Sequence, residues 1–181
     1  FGIDYTINKK HSISADISLD KGDNESNMDF KTSQFAFETL TNQQFNTNNS
    51  DSHSDAFTLD LGYRYDIGDK GMRLDFASSY SENESDNTNL NENELIDSVD
   101  GTTVFSNNRD SQNQDNAQFS SRLDYTIPLK DRKGKFEAGI KYDDLTITDV
   151  NLFENFNTGN GAFEIDPNFT NAFEYNEQLF S

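Results

Sequence analysis

Between Ala117 and Tyr142 the polarity of the chain alternates residue by residue, twice over. Ala117, Phe119, Ser121, Leu123, Tyr125 and Ile127 share one parity, while Gln118, Ser120, Arg122, Asp124 and Thr126 share the other. Successive side chains of a β-strand point to opposite faces, so a period of two predicts a strand with one apolar and one polar face. Pro128 has no N–H to give a ladder, and the polar run Lys130 to Gly134 supplies a turn. Phe136, Ala138, Ile140 and Tyr142 then resume the alternation against Glu137, Gly139, Lys141 and Asp143. The stretch predicts a long antiparallel hairpin with an apolar and a charged side.

The same design recurs along the chain. Ile3-Asp4-Tyr5-Thr6-Ile7, Leu61-Gly62-Tyr63-Arg64-Tyr65 and Leu123-Asp124-Tyr125-Thr126-Ile127 lie about 60 residues apart, each just before a short turn. The turn Gly68-Asp69-Lys70-Gly71 is the plainest of these. Hairpins are expected at 1–20, 56–81 and 115–144, with a further strand starting at 172–181. Long polar loops are expected at 21–55, 82–114 and 145–171, where Asn, Asp, Ser and Thr predominate. Short turns at one end and long loops at the other are the asymmetry of transmembrane barrels, whose periplasmic turns are short and extracellular loops long. The expected fold is therefore all-β: an antiparallel up-and-down transmembrane β-barrel. Residues 1–181 are read as one partial barrel domain of about seven strands. The chain starts at Phe1 and ends within an alternating segment, which reads as a piece of something larger.

Composition permits this reading. A formal net charge of −19 with 32% hydrophobic residues would by itself suggest disorder, but 16 Phe and 7 Tyr, most at alternating positions, argue against it. No apolar run approaches the roughly 20 residues of a membrane helix, whereas barrel strands need about 9–11 alternating residues. The acidity leaves no basic patch for phosphates, so nucleic acid is not an expected partner. The absence of cysteine excludes disulfides and thiolate metal sites.

Parity assigns the faces. Leu61, Tyr63, Leu74, Phe76, Phe119, Leu123, Tyr125 and Ile140 are expected to face lipid. Tyr5, Tyr63, Tyr65 and Tyr125 form an aromatic belt near the short turns. Phe57, Tyr80, Phe119, Tyr142, Phe173 and Tyr175 form another toward the long loops, with Ile17, Leu61 and Leu123 between them. Arg64, Arg73, Arg122, Asp124, Glu137 and Lys141 then face the lumen. Cross-strand ion pairing is the structural reading of these charges. The functional one is a substrate path in which Arg64, Arg73 and Arg122 pair with an anionic solute. A soluble sheet whose apolar face packs on a second layer fits the alternation equally well.

The run Phe119-Ser120-Ser121-Arg122-Leu123-Asp124-Tyr125-Thr126-Ile127-Pro128-Leu129, with the return Lys135-Phe136-Glu137-Ala138-Gly139-Ile140-Lys141-Tyr142, resembles the barrel of TonB-dependent outer-membrane receptors. It is similar in particular to the outer-membrane β-barrel family common in Bacteroidota. Phe173-Glu174-Tyr175-Asn176-Glu177-Gln178-Leu179 is similar to the next strand of that family. The resemblance implies a place in the outer membrane of a Gram-negative bacterium, in contact with its lipid. It also implies a plug domain and TonB as partners, is compatible with a surface lipoprotein, and points to energised uptake of a nutrient. A passive porin or structural barrel, and a secreted acidic β-rich adhesin, are the competing readings.

No catalytic constellation is present, and an enzyme is not expected. His11, placed in a turn, and His53, placed in a loop, have no second histidine at ligand spacing, so no metal site is expected. The acidic stretches Asp86 to Glu94 and Asp97 to Asp100 carry oxygen ligands suited to Ca²⁺ but lack the EF-hand spacing. They read first as solvated loops, and no cofactor is expected.

Overall fold

A computed structural model of the chain describes residues 1–129 and 134–181, so most of the turn expected at Lys130 to Gly134 lies outside the described residues. Every regular element among the described residues is a strand. These are β1 (Gly2–Asn8), β2 (His11–Ala36), β3 (Thr39–Ile67), β4 (Met72–Asp97), β5 (Thr103–Pro128), β6 (Lys135–Asn157), β7 (Ala162–Ile165) and β8 (Asn171–Phe180). They form one antiparallel up-and-down sheet in chain order from β1 to β7, with β8 also paired to β6. The eighth strand, absent from the expected set of about seven, arises because β7 and β8 share β6 as neighbour. β7 pairs with Glu154–Asn157 and β8 with Tyr142–Asn151, and the intervening Asp166 to Thr170 loops out of the ladder.

The stretches 21–55 and 82–114, read from sequence as loops, are paired strand for most of their length. β2 runs on to Ala36 and β3 starts at Thr39, leaving Phe37 and Glu38 alone as the turn. β4 continues to Asp97 and β5 begins at Thr103. The stretch 145–171 holds the rest of β6, all of β7 and the Asp166–Thr170 loop. Asn, Ser and Asp are poor strand formers, and with polar residues on both faces no period-2 signal survives. Ladder pairing to two neighbours at once overrides that low propensity. The two-residue turn was equally hidden. Phe37 and Glu38 both take positive φ, at 50° and 69°, a conformation usually given to Asn-Gly. By contrast Gly68 and Gly71, at φ 64° and 78°, supply the left-handed positions of the turn expected there.

Register is unbroken from β3 through β6, so cross-strand rows keep one face throughout. One row reads Tyr5, Ile13, Tyr63, Phe76, Leu123, Ile140 across six strands. The rows from Ile67 to Phe57 on β3 bound the apolar band. Its height is about 33 Å along the strand at ~3.3 Å per residue, foreshortened to about 25 Å by a barrel tilt of about 40°.

The sheet has no interior. Among the described residues no hydrophobic side chain is buried, and the apolar row includes Tyr5 at 61% and Ile140 at 68% exposure. A soluble sandwich would cover this face with a second layer, and nothing among the described residues does so. An exposed apolar patch spanning six strands is untenable in water and natural against lipid.

Candidate functional site

The face opposite the apolar band carries the charges, and the strand ladder sets which of them meet. Arg64 on β3 lies directly across from Asp75 on β4, with Nε 2.9 Å from Oδ1. Arg73, two residues before Asp75, places its Nε 2.8 Å from the other carboxylate oxygen. On β5, Arg122 reaches Asp124 at 2.5 Å; on β6, Lys141 reaches Asp143 at 2.8 Å and Lys135 reaches Glu137 at 2.6 Å. Arg64, Arg73, Arg122, Asp124, Glu137 and Lys141 thus share one wall, and each has an ion-pair partner on it.

This pairing changes the reading of the arginines. Each guanidinium is engaged by a carboxylate of its own sheet. Asp4, Asp16, Asp60 and Asp66 have no ion-pair partner among the described residues, and Asp16 faces Asp60 across β2 and β3. The excess charge of the wall is therefore negative, which disfavours the anionic solute suggested by three arginines on one parity. Close packing holds one pair in place. A Cβ at Gly139 would stand 2.3 Å from Oδ1 of Asp124, so the missing side chain gives Asp124 its room beside Arg122.

Leu61, Tyr63, Leu74, Phe76, Phe119, Leu123, Tyr125 and Ile140 all occupy the apolar face. Leu74 pairs with Tyr65 and Tyr125, Phe76 with Tyr63 and Leu123, and Tyr80 with Leu59 and Phe119. On the long-ribbon side, rings meet in the pairs Phe57–Tyr80, Phe119–Tyr142 and Tyr142–Phe180, with centroids 6.1, 6.1 and 4.6 Å apart. On the short-turn side His11 opens β2 instead of lying in a turn. It stacks on Tyr65 at 4.4 Å and shares a 2.7 Å hydrogen bond with the Tyr63 hydroxyl. Phe173 and Tyr175 do not belong to the upper belt. Tyr175 pairs with Ile147 and Phe173 with Asp149, positions that share a row with Asn116 and Gln114 on the polar side. Their parity shifted because the Asp166–Thr170 loop restarts the strand in a register that sequence spacing does not reveal.

Above the band, ribbons β2 to β6 continue with the faces differently furnished. His53, in β3 and not in a loop, is clasped on the apolar-band parity between Asp23 (2.5 Å) and Asp55 (3.2 Å). Its hydrogen bond to Asp23, then that to Asp55, raises its pKa above the usual histidine value. The same bond from His53 lowers the pKa of Asp23. Asp97 and Asp100 cap their own turn. Oδ1 of Asp97 accepts from the Val99 amide at 2.7 Å, and Oδ1 of Asp100 accepts from the Thr102 amide at 2.8 Å. Hydrogen bonds from the Thr102 hydroxyl, at 2.7 Å, and then from its amide lower the pKa of Asp100. Glu154, the most buried polar residue among those described at 7% exposure, holds Arg109 at 2.6 Å, and the guanidinium lies 4.7 Å over the Phe163 ring. The His53 and Arg109–Glu154 contacts had no sequence signal, since each depends on register within stretches read as loop.

A single antiparallel sheet with a lipid-wide apolar band, an ion-paired opposite face and tall hairpins on one side defines the wall of an outer-membrane barrel. Residues 65–181 match the Outer membrane protein beta-barrel family, and the chain belongs to that family. It resides in the outer membrane of a Gram-negative bacterium. β1, β2 and most of β3 precede the matched residues but continue the same antiparallel sheet. A search of curated proteins gives no match.

Proposed function

We propose that this wall belongs to a receptor barrel for TonB-dependent uptake of a nutrient, with a plug domain filling the lumen. The observation that carries the reading is the one-sided height of the hairpins. β3 runs on from Phe57 to Thr39, about 60 Å of strand beyond the apolar band at ~3.3 Å per residue, while Gly68 to Gly71 suffices at the other end. A pore that only sieves solutes has no use for such ribbons, whereas a receptor needs surface to capture ligand before transfer. The ion-paired inner wall supports the same reading. Its charges are held flat against the sheet, as suits a surface packed against a plug. The role is one of binding and passage, without covalent chemistry or a cofactor.

Conductance of the full-length protein in a planar bilayer tests this. A plugged receptor gives no steady open channel, and a stable ohmic conductance would instead establish a passive porin.

A further inference from the structure

Up to Tyr142 the apolar residues of β6 face lipid, and there the pattern inverts. Tyr142 pairs with Phe180 of β8, with ring centroids 4.6 Å apart, and this pair closes the outward aromatic belt. Above it the outward positions from Asp144 to Thr148 on β6, and from Gln178 to Glu174 on β8, are all polar. The apolar side chains stand on the inward side instead: Leu145 and Ile147 on β6, and Leu179, Tyr175 and Phe173 on β8. In the same rows β4 and β5 present only Ser, Asn and Gln to the lumen. The bilayer gives no reason for an apolar patch on the lumen side, and water disfavours one. The inversion points to a ligand at the outer mouth of the barrel.

Two carboxylates stand within the patch. Glu177 lies across from Leu145 and accepts a hydrogen bond from the Tyr175 hydroxyl at 2.9 Å. Asp149 lies across from Phe173 and accepts one from Gln112 Nε2 at 3.2 Å. Neither has an ion-pair partner among the described residues. Lys141 and Arg122, the cations next below on β6 and β5, are held by Asp143 and Asp124. The Ile147–Tyr175 row separates the two carboxylates, and the rings of Tyr175 and Phe173 lie parallel within 9°. Along the ladder the order is therefore acid, apolar, acid. The acids are four residues apart, from the Leu145 row to the Asp149 row, which is ~13 Å at ~3.3 Å per residue.

We propose that this patch binds an extended peptide with cationic side chains at positions i and i+4 and an apolar one at i+2. Side chains on one side of an extended chain recur every two residues, at the spacing of the ladder rows. The two cations then meet Glu177 and Asp149, while the apolar group lies on Ile147 and Tyr175. The aromatic faces add to the attraction for a cation. The unpaired Asp16 and Asp60 elsewhere on the wall repel an anionic ligand and not this one. A polyamine carries the charges but has nothing to place on the apolar row. The inference names a ligand class for the receptor proposed above and rests on that reading for uptake, though not for binding.

The test is binding by the full-length protein in phosphatidylcholine vesicles, read by fluorescence anisotropy of labelled peptides with no transport step. The main probe is a glycine peptide with lysine at its first and fifth positions and leucine at its third. Its comparisons are the same composition with the lysines adjacent, a version with glutamate for lysine, and spermidine as a competitor. The spaced peptide binds, about tenfold more weakly in Glu177→Gln and in Tyr175→Ala. Its binding is unchanged in Glu174→Gln, which faces outward on the same strand. Folding of each variant is checked by its gel mobility before and after boiling, and should Tyr175→Ala misfold, the isosteric Glu177→Gln decides. Absence of binding, the result if a plug covers the patch, would overturn the proposal. So would equal binding of the adjacent-lysine peptide, displacement by equimolar spermidine, preference for the glutamate peptide, or equal weakening by Glu174→Gln. Conductance is not read here, so a negative result leaves the receptor reading standing, and a porin-like conductance leaves a positive one standing.

Discussion

Asp75 is the common partner of two arginines: Arg64 approaches one carboxylate oxygen across the β3–β4 ladder, and Arg73 approaches the other along β4, at 2.9 and 2.8 Å. One carboxylate is therefore shared by two cations on the polar wall. Asp75→Ala leaves both guanidiniums without it, whereas Arg64→Ala leaves Asp75 still paired. The groups are partly exposed, so the expected loss for Asp75→Ala is about 1–2 kcal/mol, with that for Arg64→Ala below about 1 kcal/mol. Urea titration of the refolded protein in lipid vesicles measures both. A larger loss for Arg64→Ala would contradict the shared-partner geometry.

Leu123 sits on the apolar face between Phe76 and Ile140, and Ser120 on the polar face between Ser79 and Asp143. An arginine facing lipid near the midplane costs about 2–4 kcal/mol, while one facing the lumen costs little. Leu123→Arg is expected to lower the yield of folded protein in the outer membrane, and Ser120→Arg to leave it near wild type beside Asp143. Boiled and unboiled gel mobility reads this directly, and the reverse order would exchange the two faces.

Gly139→Ala should disturb a residue on the neighbouring strand. The new methyl would lie 2.3 Å from Oδ1 of Asp124, forcing the carboxylate away from Arg122. A cost of about 1–3 kcal/mol follows from overpacking. Combining it with Asp124→Ala removes that contact and leaves only the 3.0 Å approach to the Leu123 carbonyl, so the double variant loses less than the sum of the singles. Strict additivity would rule out the contact.

His53 gives the ribbon a pH dependence. Its folded-state pKa is raised, so the contribution of the clasp is fully present below the unfolded histidine value of about 6.5 and is lost as pH rises through the higher folded value. Asp23 has a lowered pKa, so its share is present above the unfolded carboxylate value of about 3.9 and is lost as pH falls through the lower folded value. The β2–β3 ribbon near Asp23 and His53 is therefore tightest in mildly acidic solution. Amide exchange there, corrected for intrinsic rates, should be slower at pH 5.5 than at pH 8.5 in the wild type, with the difference absent in His53→Ala.

What the sequence revealed follows from what alternation can encode. Within the band one face must be apolar, so Leu61, Phe76, Leu123 and Ile140 declare both strand and face. Above it on β3 and β4 neither face is apolar, and Asn48 or Asn91 carries the same local signal in a ladder as in a loop. The tip at Phe37 and Glu38 has no glycine, asparagine or proline to announce it. Arg64, Arg73, Arg122 and Lys141 share one face of the sheet, but their partners were not legible in the sequence. That Asp75 serves both Arg64 and Arg73 depends on register, which a one-residue slip would have changed completely. Phe173 and Tyr175 show the same limit, since a five-residue loop reset their parity.

The unbroken register from β3 to β6 constrains how such a wall can vary among relatives. A single inserted residue near Asn48 would turn every side chain between it and the tip to the other side, exchanging amides for carboxylates. Two residues restore the parity but must be matched on β2 and β4, and through β4 on β5, to keep the rows aligned. The height of the ribbons can therefore grow or shrink only in paired steps taken by several strands together, while the tips themselves are free to change one residue at a time.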